Sequence, residues 1–177
     1  MKVIGIDPGL AATGVGIVRG KWRRIAGYAF GCIHTPANTP LPDRLNQIFS
    51  KLLLILKDEK PDLMVVEDVF SLERYPKAGI ILGKATGVIL LAGCQTGMPI
   101  NEIPVREAKQ VLTGNGNASK KQLEKSVRCM LNLNTPIKPF HASDAMALAL
   151  IGLLRRQNTI RERSAEKKVL KFHFSTP

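Results

Sequence analysis

"GIDPGLAATGVGIV", residues 5–18, decides the fold of this chain. Val3, Ile4 and Ile6 read as a buried strand that ends on Asp7, where an ionised carboxylate is costly, and Pro8 and Gly9 then turn the chain at once. Residues 12–19 ("ATGVGIVR") and 24–34 ("RIAGYAFGCIH") read as two more strands, and the glycine-rich turns between them predict antiparallel hairpins. From Leu41 to Lys57 the period becomes helical: Leu41, Leu45, Ile48, Phe49, Leu52, Ile55 and Leu56 share one face, and Pro61 stops the helix. "DLMVVED" (62–68) is continuously apolar, as in a strand buried on both faces. A helix over 76–96, a strand over 98–104 ("MPINEIP") and helices over 105–112 and 119–131 follow, the last two separated by the flexible loop "TGNGNAS". A final helix begins at His141 or Ala142 and runs through "DAMALALIGLLRR". Three hairpin strands followed by alternating helices and strands predict an α/β domain on one mixed sheet of five strands, covering residues 1–157. Residues 158–177 read as a basic, flexible tail.

Composition narrows the function. At 177 residues, with 45% hydrophobic content and mean hydropathy of +0.02, the chain reads as one globular domain. Lys and Arg number 26 against 14 Asp and Glu, for a net charge of +12, which points to a polyanionic partner, nucleic acid first. No basic amphipathic helix with an aromatic apolar face supports a membrane surface instead. Cys32, Cys94 and Cys129 are widely spaced, which argues against a disulfide framework or a CxxC site and for a reducing compartment. The N-terminus lacks a signal-peptide pattern. The longest apolar stretch, 79–93, carries Lys84 and is too short to span a bilayer, so the expectation is a cytoplasmic protein.

In a basic protein the placement of the few acids carries information. Asp43, Asp58, Glu59, Asp62, Glu107, Glu124, Glu162 and Glu166 sit in polar contexts that suit an exposed carboxylate. Asp7, Glu67 (beside Asp68) and Asp144 do not: two end apolar strands, and the third opens an apolar helix. Singly, Asp7 could cap a turn, Glu67 could pair with a lysine and Asp144 could favour a helix N-terminus. Together they predict a cluster, because ligands of α/β sheets collect at strand ends. Several carboxylates in one apolar cleft repel and desolvate one another unless a cation compensates. Oxygen ligands suit Mg²⁺ or Mn²⁺, and two such ions about 4 Å apart serve phosphodiester cleavage. His141, three residues before Asp144 on the same helix side, can reach the cluster or can simply open the helix.

"GIDPGLAATGVGIV", "GCIHTP", "LPDRLNQIF", "PDLMVVEDVF", "LGKATGV", "VREAKQVLTGNGNASKKQ" and "HASDAMALAL", in that order, resemble the RuvC family of Holliday-junction resolvases over residues 2–155. The resemblance implies an RNase H-like fold and a homodimer that binds a four-way DNA junction and nicks two opposing strands with Mg²⁺ or Mn²⁺. It also implies the RuvA-RuvB branch-migration complex as a partner. Carried over by position, the catalytic and metal-binding set is Asp7, Glu67, His141 and Asp144, with His141 standing where many members carry Asp. Phe70 matches an aromatic set against unpaired bases, with a core phenylalanine as the alternative, and Arg74 and Tyr75 follow in a loop that could contact DNA. Lys109 and Lys120 match basic positions near the scissile strand, where each contacts phosphate or offsets charge in the transition state, and Lys121 adjoins them. Gly79, Gly83 and Gly87 bare one side of the 76–96 helix, where the family dimerises; packing on the sheet is the other reading of that side.

Imidazole is softer than carboxylate and titrates near neutrality, so His141 predicts a stronger Mn²⁺ preference and lost activity below about pH 6.5. Three competing functions remain. A YqgF-like RNA-processing nuclease would share Asp7 and Asp144 but not "VFSLERYP" followed by "LGKATGV". An ATPase of the actin, Hsp70 and sugar-kinase group would need a second lobe, for which this length leaves no room. A non-catalytic junction-binding protein is favoured by His141 alone.

Overall fold

The computed structural model describes residues 1–21, 24–68 and 76–155. Its centre is a five-stranded sheet: β1 (Lys2–Asp7), β2 (Ala12–Lys21), β3 (Arg24–His34), β4 (Leu63–Glu67) and β5 (Ile100–Ile103), in the spatial order β3-β2-β1-β4-β5. The first three strands pair antiparallel as two hairpins, while β4 runs parallel to β1 and β5 parallel to β4, so the sheet is mixed as expected. Parallel neighbours need crossovers. These are supplied by α1 (Leu41–Glu59) and α2 (Pro76–Gln95).

Two helical layers cover the sheet. On one face α1 and α2 bury Ile48, Leu52, Leu56, Ala85, Ile89 and Ala92 against Ile4, Ile6, Val15, Ile17, Met64 and Val66. On the other, α3 (Val105–Thr113), α4 (Lys120–Met130) and α5 (140–155) pack on Val3, Val18, Leu63 and Val65. Each fully buried Ile, Leu or Val contributes about 1.5–3 kcal/mol, so both layers are strongly held. Local signals set the ends: Lys60 takes a left-handed conformation and closes α1, and Ser119 with Gln122 forms a reciprocal capping box at the start of α4.

Two expectations need correction. The run 79–93 is part of a 20-residue helix that is, by length and composition alone, long enough to cross a bilayer; its inner side covers the sheet. Glu124, expected among the exposed acids, is buried at 8% exposure. It lies beside Leu123 and Val127 on the inner side of α4, where its Oε1 accepts the backbone N–H of Ile137 at 2.9 Å and pairs with Arg128 at 3.2 Å. That contact ties the connection before α5 to α4. Residues 158–177 lie outside the described residues.

Candidate active site

Strand alternation places the acids. Along β1, Ile4 and Ile6 face α1 and α2, so Val3, Gly5 and Asp7 face α5. Along β4, Leu63 and Val65 share that second face, and Glu67 follows with the same parity. Ile6 pairs with Val66, so Asp7 and Glu67 lie one residue further along neighbouring strands and on one side of the sheet. The turn after Asp7 is held where Thr13 Oγ1 donates to the Gly9 carbonyl at 2.8 Å.

α5 reaches this point because nothing stands between its backbone and the strands. A Cβ on Gly5 would lie 2.5 Å from the Ala149 nitrogen, one on Gly14 2.5 Å from the His141 carbonyl carbon, and one on Gly16 2.6 Å from the Met146 nitrogen. Gly14 is the register partner of Asp7 and Gly16 that of Gly5, so the glycines form a shallow trough under the first turns of the helix. Ala145 and Ala149 complete the approach, and His141 and Asp144 arrive above Asp7.

The resulting cluster is charged and mostly buried. His141 Nδ1 donates to Asp7 Oδ2 at 2.6 Å, and this hydrogen bond, against the cost of burial, raises the imidazole above its ordinary 6.5. Glu67 is pushed up to about 8, by burial first and then by its hydrogen bond to Asp7 and the charges of Asp7 and Asp144. Burial likewise raises Asp144, with Lys120 acting in opposition. Lys120 Nζ sits 3.0 Å from Asp144 Oδ2, while Asp144 Oδ1 is buried without a hydrogen-bond partner among the described residues. Burial works against the Lys120 ammonium, but its contact with Asp144 and the charges of Asp144, Asp7 and Glu67 prevail and raise its pKa.

Asp7, Glu67, His141, Asp144 and Lys120, spread over 138 positions of sequence, therefore act on one another directly. Lys109, half-buried on α3, and Lys121, exposed on α4, are not among the groups acting on Glu67 or Asp144. Phe70, Arg74 and Tyr75 lie outside the described residues. Gly83 and Gly87 are exposed with open space around them, so of the two readings of that helix side, packing on the sheet is excluded for both; Gly79 is half-buried.

Cys32 was not singled out as a neighbour of the site, yet it pairs in register with Gly14, itself opposite Asp7. Burial and the Asp7 charge push its thiol up, against a backbone hydrogen bond from Ala142, so it stays a neutral wall of the cluster. The strand register was the signal that could have found it.

The donor set fits a hard divalent cation. Three carboxylates converge in a site where burial penalises their charge, and one buried oxygen of Asp144 lacks any partner among the described residues. As the side chains stand, no three of the described His, Cys, Asp and Glu residues meet at one ligating point; His141 contacts one oxygen of Asp7 and Lys120 one of Asp144.

Comparison with known proteins shows the family. The family model described as "Crossover junction endodeoxyribonuclease RuvC" matches residues 3–152. A protein of that name from Syntrophomonas wolfei is 39% identical over 168 residues, which is 94% of this chain and 97% of the relative. Another from Carboxydothermus hydrogenoformans is 41% identical over 155 residues, 88% of this chain and 97% of the relative. Among solved structures, T. thermophilus RuvC in complex with Holliday junction substrate superposes with a TM-score of 0.82 at 28% identity, covering 90% of this chain and 96% of that one.

Proposed function

Because the chain belongs to the RuvC family of crossover junction endodeoxyribonucleases, we propose that it binds four-way DNA junctions and nicks two opposing strands with Asp7, Glu67, His141 and Asp144 at the reacting phosphate. The observation that carries the reading is the convergence of three acids from β1, β4 and α5 beside the ammonium of Lys120. Nucleases of this family depend on divalent metal. Mg²⁺ or Mn²⁺, as two ions held by Asp7, Glu67, Asp144 and the imidazole of His141, would supply an activated water and stabilise the leaving oxygen.

The chain's own residues do the rest. Asp7 anchors the site because the turn behind it is fixed and its strand is buried on both sides. Lys120 offers a mobile positive charge to the scissile phosphate, and Lys109 and Lys121 contact backbone phosphates farther from the acids. Phe70, with Arg74 and Tyr75 after it, engages the junction centre, where stacking on an unpaired base is worth about 1–3 kcal/mol.

Symmetric cutting asks for two sites, and α2 supplies a surface for a homodimer. Ile80 is 60% and Leu91 51% exposed on its outer side, with bare Gly83 and Gly87 between them. A second copy of the helix would cover this apolar stripe and approach closely at the glycines. Work on chromosomal DNA in the cytoplasm, beside the RuvA-RuvB branch-migration complex, completes the reading.

The test is nicking of an end-labelled mobile four-way junction and a matched linear duplex, with Mg²⁺ and then Mn²⁺, beside Asp7→Asn. Paired symmetric nicks confined to the junction and lost in the variant support the proposal. Tight binding without cleavage under either metal overturns it in favour of a junction-binding protein without chemistry.

A further inference from the structure

Lys120 holds a position that a divalent cation would need. Its Nζ lies 3.0 Å from Asp144 Oδ2, and among the described residues it is the one cation paired with that carboxylate, which is nearly sealed from water. The other oxygen of Asp144 has no hydrogen-bond partner there, so the carboxylate is only half satisfied by the lysine. Asp7 and Glu67 also act on the same ammonium, which is therefore within electrostatic reach of all three acids. Facing it from the other elements are His141 on α5, Glu67 on β4 and Asp7 on β1.

The lysine is built to leave. Its side chain is 57% exposed, so the ammonium can swing outward with little loss of buried surface. Its backbone cannot follow, because Lys120 is the first residue of α4 and the Ser119–Gln122 capping box anchors that turn. A tethered, exposed stem with its charge on a buried carboxylate is the arrangement of an exchangeable counter-ion.

We propose that Lys120 is the resident counter-ion of the metal centre, competing with a divalent cation for Asp144 and released toward the substrate phosphate when that cation binds. The inference rests on the metal-dependent reading above and deepens it. In the metal-free protein the ammonium neutralises an acid that would otherwise be buried as an uncompensated charge. In the loaded protein the same ammonium is repelled from its old position, and its exposed stem leaves it free to meet a DNA phosphate. Metal binding and phosphate contact are thereby linked through one side chain.

Calorimetric titration of the full-length protein with MnCl₂ in the absence of DNA tests this, comparing the parent with Lys120→Met, Lys120→Arg and Asp144→Asn. Releasing the ammonium gives up the attraction of unlike unit charges, which at about 4 Å and the dielectric of water is worth about fivefold in affinity. Lys120→Met is expected to bind Mn²⁺ tighter by about that factor, Lys120→Arg to stay near the parent, and Asp144→Asn to bind more weakly. In junction binding, Lys120→Met is expected to cost affinity with Ca²⁺ present and little in EDTA. If the parent binds Mn²⁺ but Lys120→Met binds it equally or less well, the counter-ion proposal is overturned. If the parent takes up no Mn²⁺ at millimolar concentration, the metal reading fails and this proposal fails with it.

Discussion

Stripped of divalent cations, the protein is expected to lose stability as pH rises from 6 to 8. The cause is Glu67, whose carboxyl is pushed from an ordinary 4.5 to about 8 in the fold. Between those values the folded state holds a proton that the unfolded chain has released, so stability falls by about 1.4 kcal/mol per pH unit until the folded carboxyl itself ionises. Integrated from pH 6 to pH 8, with the slope fading near the upper limit, the loss is about 2 kcal/mol. For a chain of this size that corresponds to a melting point lower by roughly 4–8 °C. His141 adds to the same trend, because a base raised above 6.5 contributes stability that is present below its ordinary value and lost as pH climbs through its folded one. Calorimetric melts in EDTA at pH 6, 7 and 8 measure the slope, and Glu67→Gln should reduce it while leaving the His141 share. Added Mn²⁺ should stabilise more at pH 8 than at pH 6, where protons compete for the same groups. A flat or rising melting point in EDTA, or an undiminished slope in Glu67→Gln, would refute the account of the site.

Three further outcomes follow from particular contacts. With its imidazole raised by Asp7 in the metal-free site, the parent should need more Mn²⁺ for half-maximal cleavage at pH 6 than at pH 8, and His141→Asp should weaken that dependence, leaving the Glu67 share, and shift preference from Mn²⁺ toward Mg²⁺; metal titrations of cleavage at each pH decide. Gly16→Ala places a Cβ 2.6 Å from the Met146 nitrogen, which α5 can relieve only by lifting about 1 Å, at a cost of about 1–3 kcal/mol in stability and about a hundredfold in cleavage rate, read by urea titration and single-turnover assay. Glu124→Ala leaves the buried Ile137 N–H and Arg128 Nε unanswered and should cost about 2–3 kcal/mol in urea unfolding, with Glu124→Gln recovering part.

Much of the sheet was legible because each strand carries its own pattern. Asp7 and Glu67 could be placed at strand ends by reading where an apolar run stops, and alternation then decides which layer they face. What resisted reading was contact between distant segments. Nothing local to Lys120 distinguishes it from Lys121; only the arrival of Asp144 from α5 does, and at the level of sequence the resemblance alone singled it out. Glu124 looked like one more charge on a solvated helix, although its spacing from Leu123 and Val127 is that of an inner face. Gly5, Gly14 and Gly16 fall inside strands that were read as strands, with nothing in the sequence to mark them as the floor on which a helix rests. A glycine shows in sequence only that a side chain is missing, not what occupies the space.

The trough beneath α5 separates the fate of the site from the fate of the core. Where main chain lies directly on main chain, the spacing between Asp7 and Asp144 is set by van der Waals contact of backbone atoms common to every residue type. Swaps among Val3, Val65, Leu148 and Leu150 can make the protein sturdier or frailer while that spacing persists. Such a molecule can accumulate changes through most of its interior and keep its chemistry, with little latitude at three positions that carry no side chain at all.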